Sequence, residues 1–284
     1  MSPPRLFASV IALFYAAFAR AVACAFFCRP AATRASRRFY RRLFPERSGL
    51  YHWRCVFQQF QNFTTIHADR CRAALGLQAI FTSEGLERLE QAVAAGRGAI
   101  LVMSHAGNWE MAARILARCL PGLKLLLYMG EKEKEGIEKS QKDGLRREGI
   151  IIAALGRDES DPFRAVPGLR LLQAGGVVSL AGDIVWQENQ RFVEVDFLSD
   201  RARLPAAPFA FALASGAPVF AFFAFRTGGN RYHFRLSEAI YVRAANRAGR
   251  HQALQEAARS YAALLEQAVR QHPCQWYHFD DFCR

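Results

Sequence analysis

At 284 residues the chain is long enough to bury a full core, and one domain with a terminal appendage is expected. Its 51% hydrophobic content and mean hydropathy of -0.03 are high for a soluble enzyme but exclude a polytopic membrane protein. The net charge of +13 is uneven, since residues 1–54 hold ten arginines, no lysine and one acid, Glu46, a local +9. Such a patch suits nucleic acid or anionic lipid. The apolar segment beside it decides for anionic membrane lipid, and no recognised module interleaves aromatic and basic residues as a nucleic-acid partner would require. Seven scattered cysteines without a C-x-x-C pair argue against a disulfide framework or zinc site and for a reduced, cytosolic setting.

Leu6 to Cys28 carries one charge, Arg20, in 23 residues. The length permits a spanning helix with Arg20 off-centre, or an interfacial helix followed by the Arg-rich run 29–42. A cleaved signal peptide is disfavoured, because only Arg5 precedes the apolar run and arginines crowd behind it. A retained N-terminal membrane helix is therefore expected, with its arginines in the cytoplasm. This divides the chain into an anchoring segment, 1–45, and a folded domain, 46–284.

Residues 50–75 space aromatics at three-residue intervals (Phe57, Phe60, Phe63), as a helix packed on the domain or on lipid does, with ordinary core the favoured account. Leu86 to Ala95 reads as a short amphipathic helix, and Gly96-Arg97-Gly98 turns the chain into an apolar strand, 98–103. A small polar loop, 104–108, follows, with Asn108 as N-cap of a helix over 109–119. Further strands are expected at 123–128, 150–154, 177–181, 219–225 and 232–236. Helices are expected at 131–148, 163–174, 206–215 and 252–271. Strands alternating with helices predict an α/β fold, a mostly parallel sheet covered on both faces.

The chemistry is expected at the strand–loop–helix over 98–113. His105 lies in the loop and Glu110 in the first helical turn, where exposed N–H groups favour a carboxylate. A loop that folds the imidazole back onto Glu110 would leave the second ring nitrogen as a general base. The pair also lies at the carboxyl end of a strand, where open α/β sheets bind ligands.

His105-Ala106-Gly107-Asn108-Trp109-Glu110 resembles the H-x4-D/E signature of the lysophospholipid acyltransferase superfamily. The glutamate form is similar to the branch holding the lipid A late acyltransferases and the acyltransferases of aryl-polyene clusters. Val177 to Asp183 resembles the family's second strand ending in Asp. Val193 to Leu198 with Leu204 to Pro208, Ala217-Pro218-Val219 and the tail Gln275-Trp276-Tyr277-His278-Phe279 match further family positions. The resemblance runs from about Tyr51 to the C-terminus.

It implies a glycerol-3-phosphate-acyltransferase-like fold and a membrane-associated enzyme at the cytoplasmic face of the bacterial inner membrane. The enzyme would move a fatty-acyl chain from a thioester, acyl carrier protein ahead of coenzyme A, to a hydroxyl of a lipid-type acceptor. No metal or redox cofactor is implied. His105 becomes the base and Glu110 its orienting partner. Oxyanion donors are sought among the backbone N–H groups near Gly107 and Asn108 or at an arginine, which the family places near Arg146 or Arg147. Asp183 would bind acceptor or position an arginine, although Ile184 departs from the Gln or Arg that some relatives carry next. Arg201 and Arg203 would hold a phosphate or a carrier's phosphopantetheine, against the plainer reading of surface arginines. The spacing of His278, Asp280 and Asp281 fits no familiar metal site. A hydrolase lacks a G-x-S-x-G elbow here, with Ser104 the only local nucleophile. A non-catalytic lipid or carrier-protein binder that keeps the fold is the alternative.

Overall fold

A computed structural model describes residues 17–74, 79–130, 143–147, 149–155, 165–185, 189–279 and 282. In chain order, the first half forms α1 (Pro30–Leu43), α2 (Gly49–Ala74), β1 (Ile80–Glu84), α3 (Leu86–Ala94), β2 (Ala99–Met103), α4 (Trp109–Cys119), β3 (Leu125–Gly130) and β4 (Ile151–Leu155). The second half forms α5 (Val166–Gln173), β5 (Val177–Ala181), β6 (Phe192–Phe197), β7 (Asp200–Pro205), α6 (Ala207–Ser215), β8 (Val219–Gly228), β9 (Arg231–Leu236) and α7 (Arg250–Gln271). A 3-10 turn, Pro273–Gln275, leads into the tail.

Seven strands form one sheet in the order β1-β9-β8-β2-β5-β3-β4. The run from β8 to β4 is parallel, β9 is antiparallel to β8, and β1 lies parallel to β9 at the edge. Central β2 is buried at all five residues, as a strand covered on both faces must be. Its side chains alternate between two cores. Ile100 and Val102 share one core with Phe209, Tyr261 and Leu265 of α6 and α7, while Leu101 and Met103 share the other with Met111, Ile115 and Leu116 of α4. Each buried Leu or Ile in these layers contributes roughly 1.5–3 kcal/mol. The mostly parallel, double-covered sheet expected from the pattern is therefore present.

Two elements escaped the sequence reading. β1 has no buried alternation and is an edge strand, held by its backbone pairing with β9 rather than by an apolar face. β6 and β7 form a separate hairpin that buries Val193, Val195 and Phe197. Its turn residues, Leu198 and Ser199, both take positive φ (52° and 61°) without the Gly or Asn that normally announces such a turn.

The expected N-terminal membrane helix is not supported among the described residues. Residues 17–27 are helical, with Ala19 and Ala23 buried and Phe26 and Phe27 against Phe60, Trp53 and Phe57 of α2. Among the described residues no helix is long and apolar enough to cross a membrane, and residues 6–16 of the expected anchor lie outside them. α1 turns Phe39, Tyr40 and Leu43 into the same core as β2 and exposes Arg34, Arg38 and Arg41. The aromatic face of α2 is core, with Phe60 and Phe63 packed on Phe279. Most of the charged helix expected at 131–148 lies outside the described residues, and 143–147 is helical.

Candidate active site

The site sits at the carboxyl ends of β2 and β5. These strands pair in parallel with Met103 opposite Ala181, so His105 and Asp183 each lie two residues beyond the last paired position. The shared offset brings together two side chains 78 residues apart. His105 Nδ1 lies 3.0 Å from Asp183 Oδ1, and the His105 backbone N–H donates to Oδ2 at 2.7 Å. The Trp276 indole N–H donates to the same Oδ2 at 3.0 Å.

Tight backbone packing holds both strand ends. Gly182 N donates to Met103 O at 2.8 Å, and a Cβ at Gly182 would come within 2.1 Å of Val102 Cγ1. Gly107 has φ +78°, and a Cβ there would meet Ala224 O at 2.4 Å, so the loop can only close with glycine. Asn108 caps α4 as expected, its Oδ1 accepting from Met111 N at 3.1 Å. Its amide also donates to the Tyr232 hydroxyl at 3.2 Å.

The electrostatics follow from the donors. Burial pushes the Asp183 carboxyl up, but His105, His278 and the Trp276 N–H together outweigh it and hold the group below its ordinary value. An ionised Asp183 favours the His105 tautomer with its proton on Nδ1, which puts the basic lone pair on Nε2. The aspartate side chain has no solvent exposure, whereas the His105 side chain keeps 27%, so the imidazole reaches the surface and its partner does not. Behind them, burial and then the Asp183 charge push the Tyr261 phenol well above its usual range, and its hydroxyl donates to Met103 O.

The other expected site residues are placed differently. Asp183, expected to touch acceptor or an arginine, holds Nδ1 of His105, the position the sequence reading assigned to Glu110. Glu110 is 3% exposed at the start of α4, its Oε1 accepting from Arg114 at 3.1 Å. The Gly107 and Asn108 N–H groups, considered as oxyanion donors, donate instead to Gln275 O and Ala224 O at 2.7 and 2.8 Å. Arg146 pairs with Asp143 on the helical turn 143–147, and Arg147 donates to the Asp143 carbonyl. Arg203 pairs with Glu194 across the β6–β7 hairpin and lies over Phe192, while Arg201 pairs with Asp196. These are exposed pairs. His278 is buried against Trp276, and Asp280 and Asp281 lie outside the described residues.

The chain is 28% identical over 197 residues to a phosphatidylinositol mannoside acyltransferase of Mycobacterium tuberculosis, covering 68% of this chain and 57% of that protein. A protein of the same name from Mycolicibacterium smegmatis is 25% identical over 146 residues, 48% of this chain and 42% of its own. The chain thus spans about half the length of these relatives. Residues 8–281 match the family described as bacterial lipid A biosynthesis acyltransferase, and with nearly the whole chain covered the protein belongs to that family.

Proposed function

We propose that the protein transfers a fatty-acyl chain from an acyl thioester to a hydroxyl of a lipid-type acceptor, with His105 as general base and Asp183 as its orienting acid. The observation that carries this reading is the buried carboxylate on Nδ1 of a partly exposed imidazole, in a chain that belongs to an acyltransferase family. Nε2 takes the acceptor's hydroxyl proton as the oxygen attacks the thioester carbonyl. The tetrahedral intermediate collapses, the C–S bond breaks, and the departing thiolate takes the proton back from the imidazolium. The products are an ester and a free thiol. Neither oxidation nor reduction occurs.

The donor is acyl carrier protein ahead of coenzyme A, because an acidic carrier suits so basic a surface. Arg146 and Arg147 bind a phosphate of donor or acceptor, for which a guanidinium fork is suited. The outward arginines of α1, with Phe18 and Leu50 exposed nearby in sequence, favour anionic lipid at the cytoplasmic face of the inner membrane. The acceptor classes to be separated are lipid A precursors, aryl-polyene lipids and phosphatidylinositol mannosides.

The test incubates purified protein with acyl carrier protein thioesters and acyl-coenzyme A in the presence of extracted lipids, and identifies the ester product by mass spectrometry. Wild type is expected to release thiol and form ester, and His105→Ala neither. Transfer by His105→Ala at the wild-type rate overturns the reading. Lipid or carrier binding without transfer by wild type supports the non-catalytic alternative instead.

A further inference from the structure

The C-terminal tail returns across the catalytic loop as a short antiparallel strand. Trp276 bridges Ala106, Gly107 N donates to Gln275 O at 2.7 Å, and Tyr277 N donates to His105 O at 2.8 Å. The Gln275 side chain brackets β8, accepting from Arg226 N at 2.9 Å and donating to Arg226 O at 3.0 Å. Gln59 of α2 donates its amide to the Trp276 carbonyl. The main chain on both sides of the indole is therefore tied down by three different elements.

The ring is immobilised as well. Trp276 is 2% exposed, with Phe39, Phe197, Phe282 and His278 around it at centroid distances of 4.9 to 5.5 Å. Packing of this kind fixes where the indole N–H points, and it points at Asp183 Oδ2. With Oδ2 shared between that N–H and the His105 backbone N–H, the carboxylate plane is set from one side. Oδ1 is then presented to Nδ1. Without the indole the carboxylate could turn about its Cβ–Cγ bond, a soft two-fold rotation.

We propose that Trp276 is a positioning residue of the acyl-transfer reaction, its indole N–H locking Asp183 with Oδ1 against His105 Nδ1, so that the tail is part of the active site. This rests on the His105–Asp183 reading given under Proposed function. The indole acts through Asp183 and touches no reacting atom.

The test must separate the N–H from the space the ring fills, because Trp276→Phe leaves a void in the core. Genetic incorporation of benzothienylalanine at position 276 replaces the N–H by sulfur at nearly constant volume. Thiol release from palmitoyl-acyl carrier protein, with an extracted lipid fraction as acceptor, gives kcat and KM. The analogue is expected to lower kcat about tenfold with KM unchanged, and to lower the thermal midpoint by only a few degrees, the cost of one hydrogen bond to a charged group. In an Asp183→Asn background the analogue should cause no further loss, because the carboxylate it holds is gone. Unchanged kcat in the single variant, or an equal tenfold loss in both backgrounds, overturns the proposal.

A readout independent of turnover keeps the two hypotheses apart. The 15N and 1H resonances of the His105 imidazole should shift in the analogue protein relative to wild type. If wild type transfers no acyl group, the proposed function fails and this spectrum alone decides the positioning role, with identical spectra overturning it.

Discussion

Among the described residues two aspartate side chains, Asp69 and Asp183, are buried without solvent contact, and they are caged in different ways. Asp69 of α2 accepts from two guanidinium groups, Arg72 at 3.1 Å and Arg226 at 3.0 Å, and from the Tyr232 hydroxyl in a close contact. Asp183 accepts from a backbone N–H, an indole N–H and an imidazole. The first cage is built around two guanidinium groups, which are permanent cations. The second contains a partner whose own proton can move and whose ring reaches solvent. Burial of a carboxylate therefore does not distinguish a structural acid from one proposed to orient the base. What distinguishes them is whether the cage includes a group able to exchange a proton with something outside.

Breaking each cage should give opposite signatures. Asp183→Asn keeps the shape but removes the charge that selects the His105 tautomer, and kcat should fall about a thousandfold or more. Initial rates of thiol release measure this, and retention of a tenth of wild-type activity would contradict the assignment. Asp69→Ala leaves Arg72 and Arg226 without their shared counter-ion and should cost about 3–5 kcal/mol in denaturant unfolding. Activity per folded molecule should then fall less than tenfold, even though Asn108 and Tyr232 connect Asp69 to the loop that carries His105. Tyr232→Phe, which removes one donor from the same cage, should cost about 1–2 kcal/mol.

Acid titration sharpens the contrast. The folded state holds Asp183 below its ordinary value of 3.8, so the unfolded chain binds its proton first as pH falls. Asp183 thus contributes stability that is full above roughly pH 5 and is lost as pH drops through the folded value, below about pH 4. Wild type should lose stability more steeply than Asp183→Asn in that window, as followed by circular dichroism in urea. Parallel curves would remove the electrostatic part of the argument. The smallest effects are expected at the surface. Arg146→Ala and Arg147→Ala should change stability by less than about 0.5 kcal/mol, given their exposed pairing, while raising KM for a phosphate-bearing substrate about threefold to tenfold. An unchanged KM would leave them as surface charges.

The parts of the site that were legible beforehand are those written in contiguous residues. Gly98 to Met103 declared a buried strand, Gly107 a loop needing unusual backbone angles, and Asn108 a cap, and all three stand in the structure. The strand 177–181 and the Asp beyond it were equally visible. The sequence places Glu110 against the imidazole, and in the structure the acid on Nδ1 is Asp183. Glu110 is favoured by a loop able to fold the imidazole back onto a carboxylate at the helix start, but closeness in sequence is a poor guide when a neighbouring parallel strand ends at the same height. Trp276 was noticed only as part of a matching tail, since nothing in its surroundings announces an indole hydrogen bond to a carboxylate. The β6–β7 hairpin was missed because its turn uses Leu198 and Ser199 in a conformation their side chains disfavour.

Composition and periodicity thus determined the fold class, the position on it of the loop that carries His105, and the basic stretch over residues 1–54. Those properties arise from spacing along the chain, where caps, glycines and alternation act over a few residues. The pairing of β2 with β5 and the return of the tail were decided only in three dimensions. Apolar parallel strands look interchangeable in sequence, and only the packing of both sheet faces selects which neighbours, and therefore which Asp and which Trp, arrive beside His105.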